Sequence, residues 1–151
     1  MRITISGKHR SLDNQTIRKA LHYFAKELMP NKHVGVCVSV EVTHTLRKNE
    51  GIDGGLSWQG KSGRRPRDFV LEIDARQGKR TALRILAHEM VHVKQYVLGE
   101  LRDGESKKHV TWRGKRHPAH EDDRYWSLPW EIEAYGREPG LYYRLRRDVG
   151  I

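Results

Sequence analysis

Apolar residues follow two different periods along this chain, and the switches between them mark its elements. MRITIS at the start alternates and is rich in β-favouring residues, which predicts a short strand. LDNQTIRKALHYFAKELM then sets Ile17, Leu21, Phe24 and Leu28 at helical spacing, and Pro30 and Asn31 end that helix. In VGVCVSVEVTH the residues Val34, Val36, Val38, Val40 and Val42 recur at a strict period of two, a strand with one face in a core. DFVLEIDA sets Phe69, Leu71 and Ile73 against Val70, Glu72 and Asp74, and its mixed faces suit an edge strand. LAHEMVHVKQYVLGEL returns to the helical period, with Gly99 as its C-cap.

Between these elements the pattern weakens. From Arg47 to Arg67 the chain is rich in Gly, Lys, Arg and Ser, and GIDGGLSWQGKSGRRPR reads as a long surface loop or loose hairpin. After Gly99 comes a polar segment to Asp123 in which HVTW is a brief strand. SLPWEIEAYGRE then starts a helix: Ser127 caps it, Pro129 fits the first turn, two glutamates follow, and the tail GLYYRLRRDV is amphipathic and basic. No internal repeat or low-complexity tract interrupts the chain, and 151 residues suffice for one core. The expectation is a single α+β domain over residues 1–151, with a small mixed sheet whose edge strand packs on the LAHEMVH helix.

Composition narrows the class of protein. The formal charge of +10 produces a field that attracts nucleic acid, anionic surfaces or acidic proteins at low salt, without choosing among them. The single cysteine, Cys37, sits in an apolar run where it serves as a small hydrophobe, and a chain without a pairable thiol suits a reducing compartment. MRITISGKHR is too polar for a signal peptide, and no run is apolar enough to span a bilayer. A soluble cytoplasmic protein without a membrane partner is therefore expected.

The candidate chemistry lies in HEMVH. On a helix, residues i and i+4 stack on one face, so His88 and His92 aim both imidazoles at a common atom. Glu89 sits about 100° round the helix, off the ligand axis but within reach of a water on a bound metal. Leu83, Leu86, Met90, Val93 and Val97 fall in an arc of roughly 140° to 220° from His88, so the packing stripe faces away from the histidines. Two satisfied structural histidines remain the plain alternative. A catalytic zinc needs one more protein ligand, and Glu133, Glu131, His109, His117 and His120 are the candidates. Glu131 and Glu133 lie about 200° apart on one helix, so only one of them can face the metal. Either also suits a first-turn acidic position, and Glu133 suits a pair with Arg137.

LAHEMVH followed by WEIEAYGRE resembles the small zincin metallopeptidases of phage and bacteria, of the gluzincin kind with a downstream glutamate ligand. More distantly the chain resembles the Spartan/SprT-like peptidases. The likeness runs from FVLEIDA through GRE, roughly half the chain, and HExxH is its one highly specific part. It implies Glu133, followed by the small Ala134, as third ligand beside His88 and His92; the SprT-like comparison offers His109 instead. It also implies an edge strand, Phe69 to Asp74, that receives an extended peptide by strand addition. The expected function is zinc-dependent peptide hydrolysis, with Glu89 removing a proton from the zinc-bound water. Tyr135, His117 or Tyr142 would donate to the oxyanion. The competing class is a nucleic-acid-binding module with a metal-stabilised fold. Lys61, Arg64, Arg65, Arg67, Lys107, Lys108, Arg113, Lys115 and Arg116 would hold phosphates in it, with Trp58 and Trp112 available for stacking.

Overall fold

A computed structural model of the chain describes residues 1–44, 54–60, 65–104, 108–118 and 122–151. In chain order its elements are β1 (Arg2–Ser6), α1 (Asn14–Leu28), β2 (Cys37–Thr43), β3 (Gly54–Gln59) and β4 (Asp68–Asp74), then α2 (Lys79–Leu98). They are followed by β5 (Leu101–Asp103), β6 (His109–Trp112), β7 (Lys115–Pro118), a short 3-10 helix (Asp122–Ser127) and α3 (Pro129–Val149). Lys61, Arg64, Lys107 and His120 lie outside the described residues. No helix among those described is long and apolar enough to cross a membrane.

The main sheet has the order β1-β2-β4-β3, with β1, β2 and β4 parallel and β3 antiparallel to β4. Register explains the period of two. Ile3 pairs with Val38, Val38 with Phe69, Val40 with Leu71 and Val42 with Ile73, and all of these residues are buried. The alternate positions Thr4, Ser39, Glu41 and Glu72 lie on the opposite, partly exposed face, where Thr4 Oγ1 donates to Ser39 Oγ at 2.9 Å. The helices therefore cover one face only, giving a two-layer α+β fold.

Two expectations, β4 as an edge and Ser127 as a cap, need correction, while the hairpin alternative for the Gly-rich stretch is met. β4 is not an edge: it lies between β2 and β3, and among the described residues the edge strands are β1 and β3. Glu72 interrupts its apolar pattern because one sheet face is open, not because the strand is terminal. The Gly-rich stretch supplies β3, which forms a hairpin with β4 in which Leu56 pairs with Leu71 and Trp58 with Phe69. Ser127 does not cap α3: Leu128 holds the N-cap position without a side-chain bond, and Pro129 opens the helix.

α2 crosses the middle of the covered face, packed by α1, α3, β3 and β4, so it is buried on nearly every side. Gly99, at φ 73°, ends it: its own N–H bonds to Tyr96 O at 3.0 Å and the Glu100 N–H to Gln95 O at 2.8 Å. This αL closure turns the chain back beside the last turn of α2. There β5, β6 and β7 form a small antiparallel sheet over a satellite cluster of Leu101, Trp112 and Trp130.

Candidate metal centre

α2 carries His88 and His92 one turn apart, with their Nε2 atoms 3.1 Å from each other. The first turn of α3 brings Glu131 across them. Its Oε2 lies 3.4 Å from His88 Nε2 and its Oε1 3.4 Å from His92 Nε2. Donors bound to one tetrahedral ion at about 2.0–2.2 Å stand roughly 3.3–3.6 Å apart, and each histidine nitrogen here lies 3.4 Å from a different oxygen of the same carboxylate. The three buried side chains His88, His92 and Glu131 could thus hold a metal ion. Two imidazole nitrogens and one carboxylate are also a donor set that zinc accepts.

The third position corrects the sequence expectation. Glu133 points away from the histidines: it accepts from Lys94 Nζ at 2.8 Å, Gln95 Nε2 at 3.0 Å and Arg137 Nε at 3.0 Å. The reason is helical phase. α3 buries Glu131, Ala134, Glu138, Leu141 and Leu145 as one stripe against the core, and Glu133 lies off it. His109 contacts Arg116 on the small sheet, and His117 meets the Trp130 ring edge-on. Neither joins the cluster.

Electrostatics within the cluster follow from burial and close pairing. Burial opposes charge on His88 and His92, but hydrogen bonding to Glu131 raises both, and Glu138 helps raise His88 to about 9. Burial also opposes ionisation of Glu131, yet bonds from His88, His92 and Tyr125 hold it down at about 2. Glu89 shares none of these bonds. Burial pushes its carboxyl up against the opposing pull of the histidines.

The cluster borders an open cleft of two arms. The wider, about 640 Å³, passes Arg80, Ile85, Trp126 and Tyr135; the narrower, about 310 Å³, passes Leu56, Tyr96, Leu101 and Trp130. Gly54, His88, Glu89 and Tyr125 line both. Tyr125, which no sequence pattern marks, donates its hydroxyl to Glu131 Oε2 at 2.8 Å. Tyr135 packs edge-on against His88 with ring centroids 4.4 Å apart. Two proposed stacking residues turn inward instead: Trp112 is buried against Trp130, and Trp58 packs beside Tyr96.

Gly54 sets how closely β3 approaches α2. A Cβ there would collide with Ile85 Cγ2 and lie 3.2 Å from Glu72 O and 3.5 Å from Glu89 Oε1. Gly54→Ala is therefore expected to destabilise the fold by about 1–3 kcal/mol, as overpacking does. Gly136, on the exposed face of α3 with nothing within 4 Å of a built Cβ, should gain about 0.5–1 kcal/mol on the same change. Denaturant unfolding of the two variants checks the contrast, and equal shifts would remove the close approach as an explanation.

No family model, curated protein or solved structure matches this chain.

Proposed function

We propose that the chain is a zinc-dependent peptidase of the zincin kind, hydrolysing peptide bonds in a cytoplasmic protein or peptide substrate. One observation carries the reading. A buried carboxylate that ligates nothing, Glu89, lines an open cleft directly beside the three-donor cluster. A metal held only for stability needs neither the cleft nor that carboxylate. Bound there, zinc would supply a Lewis acid for the scissile carbonyl and acidify the attacking water.

The chain's own residues do the rest. Glu89 takes the proton of the attacking water at its carboxylate and passes it to the leaving amine. Of the three candidate oxyanion donors, Tyr142 is buried and edges Tyr143, and His117 is occupied on the small sheet. Tyr135 lines the wide arm against His88 and takes that role, while Tyr125 steadies the Glu131 carboxylate. Strand addition moves from β4 to β3, whose outer edge has no strand partner among the described residues. Nucleic acid remains a secondary partner in this reading, since Trp112 is buried and Trp58, half-buried, packs against Tyr96.

The reading fixes a pH dependence. Zinc takes neutral imidazole, whereas metal-free His88 holds its proton up to about 9 and Glu131 is ionised throughout. Binding at neutral pH therefore releases protons, and affinity falls by about tenfold or more per unit as pH drops from 8 to 6. Competition against a chelator across that range is the check; affinity that stays flat would show that metal-free His88 carries no proton to release there.

A further inference from the structure

We propose that Gln95 and Glu133 form a lock that decides which ring nitrogen of His92 is bare, and so presents Nε2 to the ion. The inference rests on the metal-binding reading above, and both are positioning residues that touch no reacting atom.

Gln95 is 0% exposed and stands three residues after His92 on α2, so its side chain rises beside that imidazole. Its amide nitrogen lies 2.9 Å from the Trp130 carbonyl oxygen and 3.0 Å from Glu133 Oε2. Both partners only accept. Turning the amide over would set its oxygen against two other oxygens, so chemistry alone fixes the orientation. The Gln95 oxygen then faces His92 Nδ1 at 2.8 Å, and because that oxygen cannot donate, Nδ1 must carry the hydrogen. A neutral ring protonated at Nδ1 has its lone pair on Nε2, the atom that faces His88 and Glu131.

Glu133 is held in turn. Buried Lys94 reaches it at 2.8 Å and also reaches Glu100 at 2.6 Å, while Arg137 closes from the solvent side at 3.0 Å. These contacts keep Glu133 ionised and oriented, so it remains an acceptor for the Gln95 amide. The lock thus joins α2, α3 and the turn at Gly99. The residue that the sequence suggests as a ligand acts two bonds further out.

The test compares the full-length wild type with Gln95→Met, Glu133→Gln and the double variant. Zinc affinity is read by chelator competition and the His92 Nδ1–H by nitrogen-15 NMR of the zinc-loaded proteins. Gln95→Met keeps the side-chain length and removes both sets of hydrogen bonds. It is expected to weaken zinc about tenfold to a hundredfold and to erase the slowly exchanging Nδ1–H signal. Glu133→Gln should lose affinity by a smaller factor, and the double variant should be no weaker than Gln95→Met, because Glu133 acts through Gln95. Glu133→Gln alone still reports on the lock, through the His92 signal, should Gln95→Met fail to fold. Unchanged affinity in Gln95→Met, or fully additive losses with the Nδ1–H signal intact, would overturn the lock while leaving the metal site standing. A wild type that takes no zinc overturns the metal-binding reading, and the lock with it.

Discussion

Replacing Glu131 by Ala should strip zinc from the protein as fully as replacing His88 or His92, leaving less than about one-tenth occupancy after dialysis from a saturating solution. The expectation follows from geometry. Both Glu131 oxygens stand 3.4 Å from an Nε2, so its removal leaves two ligands where a tightly bound zinc takes three from the protein. Glu133→Ala should behave differently. With Glu133 committed to Lys94, Gln95 and Arg137, its loss weakens zinc without lowering the saturated stoichiometry from one per chain. Elemental analysis of the four alanine variants decides the matter. Full zinc in Glu131→Ala with none in Glu133→Ala would restore the assignment that the sequence suggested.

Why Glu131 rather than Glu133 stands beside the histidines can be read in α3. Ala134, Leu141 and Leu145 fall on one helical stripe, and Glu131 and Glu138 share its phase while Glu133 does not. The resemblance reads the small Ala134 after Glu133 as a sign of ligation; here it is small and buried because α3 packs closely on α2. Local spacing sufficed for α1, α2, the His88–His92 pair and the core face of β2 from Val38 on, since each depends on neighbours in sequence, whereas Val34, expected on that face, precedes the strand and is exposed. The status of β4 was not legible, because an edge is a matter of pairing: β3, with two glycines in six residues, carries little local strand signal yet covers it. Tyr125 joins the site only through the tertiary approach of the 3-10 helix to Glu131, and no period announces it.

Glu89→Gln should retain zinc and the fold and lose peptide hydrolysis by about 10²–10⁴-fold in kcat, with little change in substrate affinity. Gln preserves the length and the hydrogen-bonding capacity of the side chain, while its amide cannot accept the proton. Burial raises the Glu89 carboxyl, so the substitution also relieves a desolvated acid, and stability should hold or rise slightly. Unstructured casein and basic proteins bound to DNA are the first substrates to assay. Equal cleavage by wild type and by a zinc-loaded Glu89→Gln would assign the activity to another group and end the catalytic reading of HEMVH. Retained zinc with abolished cleavage would separate the base from the ligands, which no structural role for the helix explains.

The donors are divided between two helices, His88 and His92 on α2 and Glu131 on α3, with the whole small sheet and the 3-10 helix strung between them. An ion held by all three would tie distant parts of the chain together as a crosslink does, and its binding energy would count towards the docking of α3. In the metal-free chain, the first turn of α3 must hold a buried carboxylate against the histidines by their protons and the Tyr125 hydroxyl. Chelation would then act first on amide exchange in that turn, well before the parallel strands of the sheet loosen.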